Sequence, residues 1–233
     1  MSRISIRFLI LPYRSLNTSV LSRKNRHTMA ENMFLYWGSG SVPCWKAMIA
    51  LEEKGFSGYK NKLISFDNNE MKGGDVLKLN PRGESTYKDK GTQLIPSGTK
   101  QRALVLQRMN EAVANLMHKM LLDYLYEFME TKEEDMNPDT LARKTQTLKD
   151  ELNRWNDYLG QTGAYLTGPD FTMADVYFFP FIGFGVRLGL NLNSFPKIKS
   201  YYERLSSRPS IKATWPPHWK ESPGSFKPLT GKM

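Results

Sequence analysis

An α/β plus all-α architecture is what this sequence predicts, and three observations predict it. Between residues 33 and 66 an apolar run, a capped amphipathic stretch and a second strand-like run follow one another. From Thr99 onward, apolar residues recur at helical spacing almost to the end. The chain has 233 residues, 40% hydrophobic and 24% charged, which suits one large or two small domains with real cores and excludes a disordered or fibrous chain.

The first element is Met33-Phe-Leu-Tyr-Trp37, whose length and aromatic content favour a buried strand. Gly38-Ser-Gly-Ser41 follows, and Ser41 is a good N-cap for a helix with Pro43 in its first turn. Cys44, Trp45, Met48, Ile49 and Leu51 give that helix a wide apolar stripe, and Gly55 stops it. The run from Tyr59 to Phe66 predicts a second strand, parallel to the first because a helix joins them. A short helix at Asp75–Leu79 and a turn at Asn80-Pro-Arg-Gly83 close this part.

Farther on, Met109, Val113, Leu116 and Met120 form one helical stripe, and Leu141, Leu148, Leu152, Trp155 and Leu159 form another that begins at Asn137-Pro138. Thr172-Met-Ala-Asp175 reads as a capping box opening a very apolar helix. Phe195-Pro196 starts a helix carrying Ile198, Tyr202 and Leu205, and the Pro-rich end from Trp215 reads as irregular.

The formal charge of +10 suggests nucleic acid until it is divided along the chain. Six of the 33 basic residues (Arg3, Arg7, Arg14, Arg23, Lys24 and Arg26) precede residue 29 with no acid among them, so from Met29 the balance is 27 against 23. No nucleic-acid partner is expected. Residues 1–28 read equally as a mitochondrial transit peptide or as an extension ahead of a start at Met29. The longest uncharged apolar stretch, Val176 to Val186, contains Pro180 and is too short to span a bilayer, so no membrane partner is expected. Cys44 alone makes no disulfide framework, and His27, His118 and His218 lack metal-ligand spacing, so no metal is assigned.

A Gly-Ser-Gly-Ser loop before a helix offers backbone N–H groups and a hydroxyl to an anion. It has neither the GxxxxGK[ST] nor the GxGxxG pattern, which argues against a nucleotide. A thiolate is an anion that such a helix start could stabilise.

In order and spacing, Leu35-Tyr-Trp-Gly-Ser-Gly-Ser-Val-Pro-Cys-Trp45, Ile49-Ala-Leu-Glu-Glu-Lys-Gly55, Leu79-Asn-Pro-Arg-Gly83, Gln93-Leu-Ile-Pro96, Thr172-Met-Ala-Asp175 and Arg208-Pro-Ser-Ile-Lys-Ala-Thr-Trp-Pro216 resemble a cytosolic glutathione transferase. The likeness is greatest to the rho class and to the serine-type theta and zeta enzymes. It implies an N-terminal extension (1–28), a thioredoxin-like glutathione-binding domain (29–92), an all-helical domain (93–219) and an irregular tail (220–233). It also implies glutathione as co-substrate, conjugation of its thiolate to a hydrophobic electrophile, a homodimer or heterodimer, and a cytoplasmic protein unless residues 1–28 direct it to mitochondria. Ser41 falls at the catalytic serine position, with Ser39 and Gly40 beside it and Lys72 toward the glycyl carboxylate. Ser39 is the second choice for catalysis and Tyr36 the third, while Cys44 falls on the apolar stripe and reads as packing.

One departure from the family pattern stands out. Only residues 84–92, Glu-Ser-Thr-Tyr-Lys-Asp-Lys-Gly-Thr, separate Gly83 from Gln93, where relatives place a cis-proline segment, two strands, a γ-glutamyl-binding acid/Ser pair and a helix. The expectation is an isoform whose thioredoxin-like domain is truncated. Its activity would be impaired, or it would be catalytically silent and serve as a dimerisation and interaction protein.

Overall fold

A computed structural model describes residues 33–56, 58–65 and 93–233, and two compact units emerge from them. One contains the described residues before 66 together with 213–220; the other contains 93–212 and 221–233. The expectations for residues 1–28, the Asp75–Leu79 helix, the 80–83 turn, Lys72 and Glu84-Ser85 lie outside the described residues.

In the first unit, β1 (Phe34–Trp37), α1 (Val42–Glu53) and β2 (Lys60–Leu63) form the expected strand–helix–strand. The strands are parallel, with Phe34 beside Lys60 and Trp37 beside Leu63. Local chemistry dictates both ends of α1. At its start Ser41 is extended, at φ −70° and ψ 111°, and its Oγ accepts the Cys44 N–H. At its end the Phe56 N–H bonds the Leu51 carbonyl and the left-handed Gly55 (φ 69°) donates to the Glu52 carbonyl. This is a Schellman closure. The hydrophobic contact that accompanies such a closure is also present: Phe56 and Leu51 share a core with Leu35, to which Met33, Trp37, Met48 and Tyr59 are added at its margin.

Residues 213–220 complete this unit. Contrary to the irregular reading of the stretch after Trp215, α7 (Pro209–Thr214) is followed by a further short helix, α8 (Pro217–Glu221). The buried Trp45 explains why the segment stays: its Nε1 donates to Thr214 Oγ1 at 3.0 Å, and Trp215 and Trp219 stand edge-on to its ring at 5.1 and 5.4 Å. Edge-to-face contacts of this kind add about 0.5–1.5 kcal/mol each beyond burial.

The second unit is helical. α2 (Thr99–Glu111) continues without a break through a π-wound stretch (Ala112–Leu125) into α3 (Tyr126–Glu130). The expected stripe is rotated here. Leu116 and Met120 are buried, but Met109 and Val113 are only half-buried, while Arg108 and Ala112 lie inside. From Ala112 the buried row 112, 116, 120 and 124 repeats every four residues, as i→i+5 bonding adds residues to each turn, and Arg108 continues that row back into α2.

α4 (Pro138–Thr162), capped by Asn137, buries Leu148, Leu152, Trp155 and Leu159 as expected. Glu151 is buried with them, accepting from Trp155 Nε1 at 2.9 Å and from Lys119 Nζ at 2.6 Å. α5 (Met173–Arg187) opens on the expected capping box, in which the Thr172 N–H donates to Asp175 Oδ2 at 2.8 Å. Asp175 is fully buried and also accepts from Leu166 N–H (3.0 Å), Thr172 Oγ1 (3.1 Å) and Tyr201 Oη (3.2 Å). In α6 (Pro196–Ser206) it is Tyr201, three residues after Ile198, that faces inward, and Tyr202 is left half-buried. No helix among the described residues is long and apolar enough to cross a membrane.

Candidate functional site

The four residues between β1 and α1 form a tight turn, closed by the Ser41 N–H donating to the Gly38 carbonyl at 3.1 Å. Gly40 occupies its third position at φ 78°, where left-handed backbone favours glycine. The turn delivers the chain to the start of α1, whose dipole is positive there and whose first turn holds no acid. An anion placed at this turn meets a favourable field.

The turn presents its two hydroxyls differently. Ser41 is buried at 6% exposure; its Oγ accepts the Cys44 N–H at 3.4 Å, and its hydroxyl also bonds the Cys44 thiol. Ser39 and Gly40 are half-buried. Ser39 Oγ lies 2.5 Å from Nδ1 of His218, which comes from α8 179 residues later. The imidazole also packs against the turn itself, since a Cβ built at Gly40 would stand 2.9 Å from His218 Cε1 and 3.2 Å from Trp219 Nε1.

Cys44 is buried at 3% exposure, as its place on the stripe implied. Its Sγ accepts the Gly38 N–H at 3.2 Å, and burial pushes the thiol up against the opposing pull of the Ser41 hydroxyl and the Gly38 N–H. A buried, protonated thiol holds the turn onto the helix and is a poor nucleophile. On the same helix, burial lowers the Lys46 ammonium to about 7. Tyr36 lies in β1 with its ring against Phe34, 4.8 Å between centroids.

Of the sequence-predicted residues, Ser39, Gly40 and Ser41 are therefore brought together, and Lys72 lies outside the described residues. Sequence reasoning passed over His218. Its only local signal is the dense Trp-Pro-Pro-His-Trp run, which says nothing about a loop 179 residues away. Among the described residues no three His, Cys, Asp or Glu side chains converge on a point where a metal could sit.

The turn's geometry sets up a direct test. Gly40→Ala forces left-handed backbone on an L side chain, which costs about 1–2 kcal/mol, and drives its Cβ into His218. Urea unfolding followed by tryptophan fluorescence should show that loss. Gly160→Ala, in the helical unit, is the control: its Cβ would meet nothing closer than Lys197 Cγ at 3.9 Å and should stabilise by up to about 1 kcal/mol.

Comparison with known proteins converges on one family. The model of the glutathione S-transferase C-terminal domain matches residues 116–214. Glutathione S-transferase A of Pleuronectes platessa is 38% identical over 218 residues, covering 84% of this chain and 96% of that protein. The crystal structure of a glutathione S-transferase from the Antarctic clam Laternula elliptica superposes with a TM-score of 0.76 at 38% identity, covering 86% of this chain and 99% of that one. A delta-class glutathione transferase of Nilaparvata lugens, 22% identical, shares the fold with a TM-score of 0.67. A thioredoxin-like start followed by an all-helical domain is thus the fold, and with more than a third of its residues identical to a relative matched almost end to end, the chain belongs to the glutathione S-transferase family.

Proposed function

We propose that this chain binds glutathione at the Gly38–Ser41 turn and transfers its sulfur to a hydrophobic electrophile. The observation that carries the reading is a serine hydroxyl set at the positive end of α1. A free thiol has a pKa of about 8.5 and is mostly protonated at neutral pH. A hydroxyl donor together with the helix dipole favours the ionised form, and lowering the thiol by about two units takes about 3 kcal/mol of preference for the thiolate. In this reading Ser41 stabilises the thiolate, Ser39 and Gly40 line the site, and Lys72 attracts the glycyl carboxylate. The protein works as a dimer, with itself or with a relative, in the cytoplasm. It is closest to the rho class.

The second reading, a catalytically silent isoform that acts through dimerisation, is favoured by the nine residues 84–92. The length of the match supports a deletion: 84% of this chain is about 196 residues, some twenty fewer than the 218 aligned with the Pleuronectes platessa protein. A segment that would pair with the cysteinyl backbone and hold the γ-glutamyl end is then missing. Each lost hydrogen bond to a charged group is worth about 1.5–3 kcal/mol, and about 1.4 kcal/mol makes a factor of ten. The chain as it stands should therefore bind glutathione at least tenfold more weakly than a version carrying a relative's intervening segment. Calorimetric titration of both, with conjugation of a chlorinated nitroaromatic as the activity readout, tests this. Affinities within threefold of each other would mean that Glu84-Ser85 serves in place of the lost site.

A further inference from the structure

We infer that His218 is a positioning residue that turns Ser39 into a second hydroxyl donor for the glutathione sulfur; the inference rests on the glutathione reading above and adds a residue to it. The geometry is specific. Ser39 Oγ and His218 Nδ1 are 2.5 Å apart, and the same imidazole lies against Gly40, so ring and turn fix each other's position. Trp219, next to His218 on α8, stands edge-on to Trp45 of α1, which ties the helix bearing the imidazole to the helix that starts at Ser41.

Hydrogen-bond direction gives the contact its chemistry. A hydroxyl has one hydrogen. If Ser39 donates it to Nδ1, only oxygen lone pairs face a ligand and a thiolate is repelled. With the proton on Nδ1, His218 donates to Ser39, and the Ser39 hydrogen is released toward the sulfur. The thiolate selects this second arrangement because only there does it receive a hydrogen bond. No proton leaves the pair: His218 keeps its Nδ1 hydrogen and Ser39 keeps its own.

The test uses the full chain, with the thiol pKa of bound glutathione read from thiolate ultraviolet absorbance across a pH series. Ser39→Ala and His218→Ala should each raise it by roughly 0.5–1 unit, three- to tenfold less thiolate at fixed pH, and the double variant no further. His218→Asn places an amide N–H near Nδ1 and should restore most of the loss, whereas His218→Gln should not. Additive effects, or His218→Asn as impaired as His218→Ala, would overturn the pairing. Imidazole nitrogen chemical shifts, recorded without glutathione, separate the two failures. A chain that binds no glutathione refutes the functional reading, and the pair is then judged by whether Ser39→Ala shifts His218 Nδ1; an unmoved Nδ1 refutes it.

Discussion

Replacing Ser41 with alanine should lower kcat/KM for glutathione conjugation about 100-fold, the scale on which removing one donor from a developing or stabilised anion is felt. Ser39→Ala should cost no more than about tenfold, a weaker hydrogen-bond loss, and Tyr36→Phe almost nothing. In the proposed site Ser41 would have two duties, however. Its Oγ also caps α1, so alanine removes about 1 kcal/mol of helix stability as well. Ser41→Asp distinguishes the two effects, because a carboxylate caps a helix as well as serine does while its charge opposes a neighbouring thiolate. That variant should unfold at the wild-type urea concentration and still be inactive. Equal losses from Ser41→Ala and Ser39→Ala, or a dominant loss from Tyr36→Phe, would place the thiolate-stabilising hydroxyl elsewhere.

The largest stability effect is expected at Asp175. Its side chain accepts from Leu166 N–H, Thr172 N–H, Thr172 Oγ1 and Tyr201 Oη, so one carboxylate joins the start of α5 to the preceding loop and to α6. Asp175→Ala strands at least three buried donors. At about 1–3 kcal/mol for each unsatisfied group the loss is about 3 kcal/mol or more, a large part of the 5–15 kcal/mol typical of a folded domain. Near-ultraviolet circular dichroism during urea unfolding, dominated in this unit by the buried Trp155 and its stacked partner Phe178, reads it.

Asp175 also imposes a pH dependence. Burial outweighs its four hydrogen bonds and pushes the carboxyl from 3.8 up to about 6. Between about pH 4 and 6 the native chain therefore holds a proton that the unfolded chain has released, so stability from this group is present at the acid end and falls as pH rises through 6. Wild-type protein should lose stability from pH 5 to 7.5 by more than Asp175→Asn does. An identical change in the two would assign the dependence to other groups.

Legibility of this chain from sequence followed the range of the interactions. Both ends of α1 were readable because their determinants are neighbours: Ser41 caps it, Pro43 starts it, and Gly55 stops it. The Thr172-Asp175 box was readable for the same reason. The inward turn of Arg108 and Ala112 was not, because an apolar stripe drawn through Met109 and Val113 gives a charged arginine no weight, and the π-wound stretch after it keeps a different spacing. Nor was the partnership of Ser39 with His218. Short-range patterns identified the hydroxyls; a contact spanning 179 residues has no local signature.

That same span has a consequence for biosynthesis. The first unit is discontinuous: β1, α1 and β2 are made early, but Thr214, Trp215 and Trp219, which cover Trp45, come near the end of the chain. At about 5–20 residues per second, the interval between residues 65 and 213 leaves Trp45 without that cover for roughly seven to thirty seconds. Throughout that interval a nascent chain tethered to the ribosome carries an open indole surface, a natural binding site for chaperones. The helical unit can fold before the unit that begins the chain is finished, so truncation a few residues short of Thr214 should harm the N-terminal unit first.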